Sequence, residues 1–274
     1  MLLSTDGRGE EWASYPIPGA FAIRYGAYPS ASTWYVTEGY WPQDAAEPFA
    51  HAAPHLEAGV ELSANIRVGK PAPRPPPPQG VSAGSGYVAN IYKTTDGGAS
   101  FTKVFASGLE DAFYFNAISC GSENSCVAVA DGEEGDGKII HYKTYAYYTD
   151  NGGKTWSKVF DGGDNYVSLM AVSSHPLENH FATRRFMCFL SMYVQVKMTS
   201  ASDGWISPSG FAPGSNSPTD VATYFMRTTD GGATWALNQT LLDCISSDIE
   251  SAEGLTISTC LTAGGLSSRV AFYQ

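Results

Sequence analysis

A chain of 274 residues with 29 glycines, 13% aromatic and only 16% charged residues is long enough to bury a substantial core, and it suits many turns and tight strands better than a helical bundle. The formal net charge of −11, from 27 acidic against 16 basic residues with no Lys or Arg run longer than a pair, lacks the basic footprint that nucleic acid or an anionic membrane surface requires. Convincing runs of period 3.6 are missing, and the longest apolar run, FMCFLSMYVQV at 186–196, is about half a membrane span, so it is expected as buried strand and no membrane span is predicted.

From the N-terminus, MLLSTDGRGEEW offers two apolar residues after Met1 and then breaks into a turn, so no signal peptide is read in the sequence as given. Residues 4–12, STDGRGEEW, are a damaged copy of a phrase that returns as KTTDGGASF at 93–101, YTDNGGKTW at 148–156 and RTTDGGATW at 227–235. Aligned on the closing aromatic, the good copies share Ser or Thr, then Asp or Asn, Gly, Ser or Thr, and Trp or Phe. The matched residues are Thr94, Asp96, Gly98, Ser100 and Phe101; Thr149, Asn151, Gly153, Thr155 and Trp156; and Thr228, Asp230, Gly232, Thr234 and Trp235. In the first copy Ser4, Asp6 and Trp12 correspond, with one extra residue intruding. Short oxygen-bearing side chains can accept from backbone N–H groups, and Gly takes the left-handed dihedrals of a tight reversal, so each phrase is expected to be a hairpin turn that satisfies its own polar groups. The flanks YVANIYKT, KTYAYYT and ATYFMRT before, and TKVF, SKVF and ALNQTL after, are rich in strand formers.

Between the first two copies, STWYVTEGYWP reads as an inner strand that places Trp34, Tyr35, Tyr40 and Trp41 about a long excursion. Residues 42–85 follow as a loop insertion whose Pro75–Pro78 run must be extended. Cys120 and Cys126 then bracket the turn GSENS, and Cys244 and Cys260 bracket a longer segment; two disulfides within sheets are expected, with Cys188 left over. Oxidised pairs favour a secreted or organelle-lumenal chain, although spacing alone does not fix redox state. DGEEGDG at 131–137 lacks the spacing of a calcium loop and reads as a solvated hairpin, and no metal site or cofactor is expected. Residues 176–197 interrupt the third unit as a second insertion. Asn238-Gln239-Thr240 is an acceptor triplet for N-glycosylation if the chain enters a secretory compartment.

The octapeptide resembles the Asp box, also called the bacterial neuraminidase repeat, and its phrase order is in style most like the photosystem II stability and assembly factor type. That resemblance implies an all-β fold: a β-propeller of four-stranded antiparallel blades, one domain over residues 1–274, with the box turning between the third and fourth strands away from the usual binding face. Cutting the chain at the boxes gives four blades, one completed by joining the two termini, unless the long gap before the second box hides a further blade.

Chemistry has to be sought outside the boxes. Sialidases, which the repeats resemble, need three arginines, a Tyr/Glu nucleophile pair and an Asp acid; here YPIP at 15–18 and FAIRYG at 21–26 do not match the family's first arginine phrase. Glu38, Asp111, Asp131 and Asp203 lie near the ends of inner-strand phrases and are the carboxylates to test, with Trp34, Tyr40 and Trp41 as rings that could stack on a ligand. Trp205 in ASDGWISPSG reads as blade core. The expectation is a non-catalytic propeller binding a protein or a glycan on its central face, with a sialidase-like or xyloglucanase-like glycoside hydrolase as the alternative.

Overall fold

The computed structural model describes residues 2–5, 12–20, 22–40, 87–108, 111–135, 140–162, 194–215, 220–252, 255–262 and 268–273. They are all-β and antiparallel. β1 (Leu2–Thr5) and β2 (Trp12–Tyr15) pair as a hairpin. The next sheet is β3 (Ile23–Ala27), β4 (Trp34–Tyr40), β5 (Val88–Thr94) and β6 (Thr102–Ala106), hydrogen-bonded in chain order. A third repeats the pattern with β7 (Phe113–Cys120), β8 (Cys126–Gly135), β9 (Ile140–Thr149) and β10 (Ser157–Asp161).

In the fourth sheet β11 (Val196–Met198) pairs β12 (Gly204–Ile206); β12 and β13 (Ser209–Phe211) both pair β14 (Val221–Thr228), which pairs β15 (Ala236–Leu242). β12 and β13 are one strand interrupted at Pro208, which has no N–H for the ladder. The last sheet is β16 (Ile245–Ala252), β17 (Leu255–Leu261) and β18 (Ser268–Tyr273).

First strands of successive sheets touch: β7 packs on β3, β11 on β7, and β16 on β11. Sheets that meet through their first strands and keep their fourth strands outermost form a β-propeller arrangement, and the apolar clusters lie in the seams between them. One seam joins Tyr35 and Ile91 of the second sheet to Phe113, Phe115, Cys126 and Ala128 of the third. The next joins Val127 and Val129 to Val196, Met198 and Ile206. A buried ring contributes about 2 to 3 kcal/mol, so Tyr35 and Phe115, both fully buried, rank among the strongest anchors.

Two differences from the sequence expectations stand out. β1–β2 and β16–β17–β18 are separate sheets with no ladder joining them among the described residues, so the composite blade from the two termini is not formed there. Val194, Val196 and Met198 are buried in a seam, so the expected insertion at 176–197 ends in core strand; alternation of apolar side chains over 194–198 is the reason. The remainder of that segment, residues 42–85, Trp41 and Cys188 lie outside the described residues. Both expected disulfides are present, Cys120–Cys126 and Cys244–Cys260, with S–S distances of 2.05 and 2.03 Å.

Candidate functional site

The blades have two unlike ends. Each repeated turn joins the third strand of its sheet to the fourth, and its hydrogen bonds repeat in all three copies. Thr94 Oγ1 accepts from the Gly98 N–H (3.0 Å), and Asp96 Oδ1 accepts from the Ser100 N–H (2.9 Å) while Ser100 Oγ donates to Asp96 Oδ2 (2.6 Å). Thr228, Asp230, Gly232 and Thr234 reproduce this, and Thr149, Asn151, Gly153 and Thr155 reproduce the two backbone bonds, with the side-chain bond reversed: Asn151 Nδ2 donates to Thr155 Oγ1 (2.7 Å). The second glycine of each pair is left-handed, with φ of 95° at Gly98, 84° at Gly153 and 106° at Gly232. A Cβ at Gly98 would lie 2.6 Å from the Trp34 ring, and one at Gly232 would lie 2.4 Å from Val127, so these glycines also allow the close approach of neighbouring strands. Hydrogen bonds from Ser100 and Thr94 pull the Asp96 carboxyl down to about 2, and the bond from Thr234 does the same for Asp230. Both carboxylates are thus held by hydrogen bonds within their own turns.

Trp34 and Asp203 belong to this end. Trp34 pairs with Thr94, packs against Tyr15 and Tyr28, and donates its indole N–H to Ala31 O, so it is buried core and no ligand-facing ring. Asp203 lies in the turn before β12, accepting from Ser202 and from Arg227, whose guanidinium sits 3.2 Å away and 5.7 Å over the Trp205 ring. Sequence position near a strand end is the same for both ends of a blade; the ladder register tells them apart.

Glu38, Asp111 and Asp131 lie toward the opposite end. Tyr40, at the end of β4, pairs with Val88 there. Asp111, exposed, accepts from the Gly108 N–H between β6 and β7. Glu38 and Asp131 are the only buried carboxylates among the described residues, 2% and 4% exposed. Glu38 Oε2 accepts from Asn90 Nδ2 (2.7 Å) and from the Tyr92 hydroxyl (3.0 Å), and Glu38 Oε1 from the Ala22 N–H (3.4 Å). Asp131 accepts from the Asn116 side-chain amide. They face different seams: Glu38 alternates in step with Val36, which packs on Ile17 and Tyr92, whereas Asp131 alternates with Val127 and Val129 toward the fourth sheet. The structure therefore does not bring them together as a facing acid pair.

A second feature of this end is a bulge at one register step in both hub strands. In β3, Ile23 pairs Glu38 and Tyr25 pairs Thr37, with Arg24 the extra residue between them; in β7, Phe115 pairs Ala130 and Ala117 pairs Val129, with Asn116 the extra residue. Counted from the residues opposite Thr94 and Thr149, the two bulges coincide. A bulge re-aims its side chain. Arg24 reaches the next sheet, its guanidinium 4.9 Å over the Tyr114 ring, which stacks with Tyr87 at 6.2 Å. Asn116 is fully buried, its amide on Asp131 and its Oδ1 without a hydrogen-bond partner.

Sequence reasoning missed Asn90, Tyr92, Asn116 and Tyr114. For the first two the signal was present, since Asn90 and Tyr92 alternate on one face of YVANIYKT, but nothing in one strand shows that the face meets Glu38. Among the described residues no group of three or more His, Cys, Asp or Glu is placed to hold a metal, and no helix is long and apolar enough to cross a membrane.

No family profile matches the chain, and no curated protein matches it. Among solved structures it is similar to a GH74 enzyme of Niastella koreensis, with 13% identity, a TM-score of 0.40, and coverage of 97% of this chain and 31% of that one. It is also similar to a PL25 ulvan lyase, at 9% identity and a TM-score of 0.44 over 99% and 57% of the two chains. A third is the α-L-arabinofuranosidase Arb93A of Fusarium graminearum, at 12% identity and a TM-score of 0.41 over 91% and 60%. The chain spans less than two thirds of the length of each. These are likenesses of chain course; residue roles here follow from the geometry of this chain.

Proposed function

We propose that this chain is a carbohydrate-directed β-propeller whose working end lies opposite the repeated turns, and that it acts there as a glycoside hydrolase. The observation that carries the reading is the buried Tyr92–Glu38 pair, 3.0 Å apart, with Asn90 holding the same carboxylate oxygen. A carboxylate that accepts a phenol's hydrogen bond is placed to take its proton while the phenolic oxygen attacks the anomeric carbon and the glycosidic C–O bond breaks, the departing sugar oxygen taking a proton from water; this is the activation that a nucleophilic Tyr needs. It is also the Tyr/Glu pairing that the sialidase resemblance asks for. Arg24, set by its bulge against the buried Tyr114 and Tyr87 rings, supplies a cation at the same end.

The test is turnover of a panel of fluorogenic glycosides, sialosides and glucans included. Hydrolysis lost in Tyr92→Phe and in Glu38→Gln, with melting temperature held, supports the reading. A second reading, glycan binding without turnover, is favoured by the placement of Glu38 and Asp131 on different seams. It predicts an array signal that is reduced in Arg24→Ala, together with no hydrolysis by the parent chain. Neither turnover nor glycan binding would overturn both.

A further inference from the structure

The three fourth strands are outermost in their sheets, each with one ladder partner among the described residues, and they are aligned by the repeat. Each carries a bulge at the third residue after the closing aromatic: Val104 after Phe101, Val159 after Trp156, Asn238 after Trp235. The residue before the bulge is Lys103 in β6 and Lys158 in β10. Both are exposed, and each lays its ammonium over a tyrosine ring, at 5.4 Å over Tyr92 and 4.2 Å over Tyr145. A lysine and a bulge on an open edge are two of the devices that prevent strands of different molecules from pairing.

β15 departs from this pattern. The lysine position holds Leu237, and the strand, ALNQTLL, carries no charge at all. Among the described residues, three large hydrophobic side chains count as exposed, and two of them, Leu237 at 52% and Leu242 at 57%, are on β15. Where Val104 and Val159 are half-buried, Asn238 is exposed, and it opens the only Asn-x-Thr/Ser triplet on any of the three edges, with Thr240 at its third position. Both described cysteine pairs are oxidised, which fits a compartment where such triplets are glycosylated.

We propose that Asn238 is an N-glycosylation site and that its glycan is the guard of the β15 edge, in place of the lysine of the other two blades. The transfer joins the Asn238 amide nitrogen to the anomeric carbon of a lipid-linked oligosaccharide diphosphate; the nitrogen gives up one proton, and the carbon–oxygen bond to the diphosphate breaks, releasing the lipid diphosphate. A branched glycan on the bulge covers the open N–H and C=O row and the two leucines with hydrated, non-pairing bulk.

The full chain is directed through the secretory pathway of a cultured eukaryotic cell and its intact mass measured before and after peptide-N-glycosidase. One glycan, absent from Asn238→Gln and from Thr240→Ala, is expected. The glycosylated chain should remain monomeric by light scattering, while Asn238→Gln associates in proportion to concentration, and the double variant Leu237→Lys/Asn238→Gln returns to monomer. A bare Asn238 on a folded, secreted chain overturns the site. A glycan whose removal leaves the chain monomeric overturns the guarding role, and association that Leu237→Lys does not reverse assigns the self-pairing to another surface and overturns it as well.

Discussion

The two ends of the blades solve different problems with the same ladder. At one end, three turns use matching side chains, and in each the Thr hydroxyl accepts from the N–H of the second glycine. At the other, the hub strands share a bulge at one register step but fill it with unlike residues, Arg24 and Asn116, and the second strands beside them bury unlike carboxylates, Glu38 and Asp131. Where the chain repeats, it is folding itself; where it repeats a backbone device and varies the side chain, it has room for chemistry. Substitutions at the two ends should therefore separate stability from activity.

The largest effect is expected from Gly98→Ala. The new Cβ meets the Trp34 and Tyr15 rings at 2.6 Å and sits at a φ of 95°. Overpacking and a left-handed backbone together should remove about 2 to 4 kcal/mol, read as a lowered denaturant midpoint with turnover or binding intact wherever the chain is folded. A midpoint within error of the parent would show that these turns do not anchor the seams.

Next is Glu38→Ala, which strands the Asn90 and Tyr92 donors in a buried site and should cost about 1 to 3 kcal/mol. Its value for the comparison lies in its conservative partner. Glu38→Gln keeps a buried acceptor and should lose hydrolysis with little change in melting, whereas no substitution in a repeated turn should do so.

Acid provides a milder probe. Asp96 and Asp230 are held near 2 when folded, below their usual 3.8, so the stability they add is complete above about pH 4 and drains as the pH falls from there through about 2. Asn151, at the same turn position, does not titrate. Asp96→Asn and Asp230→Asn should lower the melting temperature at neutral pH and so flatten its fall in that window; an unaltered acid profile would count against the turn carboxylates as the source.

The smallest effect is expected at Asp203→Asn. Its pair with Arg227 is more than a third exposed on both sides, so the loss should be small and shrink with added salt. A larger loss, or a loss of ligand, would move Asp203 back to the working face.

Much of this architecture was legible in the chain itself. The Thr-x-Asp-x-Gly-x-Thr/Ser-aromatic spacing dictates the turn because its groups bond within eight residues, so no distant partner is needed to complete it. Cys120 and Cys126 were legible for the same reason, since a short turn puts them opposite one another in the ladder. What lies on the facing surface of a seam was not. Trp34 and Glu38 are four residues apart in one strand, yet one packs under a turn and the other is locked by Asn90 and Tyr92 from the neighbouring strand. Arg24 and Asn116 carry no local mark at all, because a single extra residue in a ladder changes which way a side chain points and only the pairing with the next strand reveals it. The sequence alone thus determined the elements whose hydrogen bonds close locally; the tertiary structure decided which side chains share a seam, since burial and register are properties of strands meeting and not of either strand by itself.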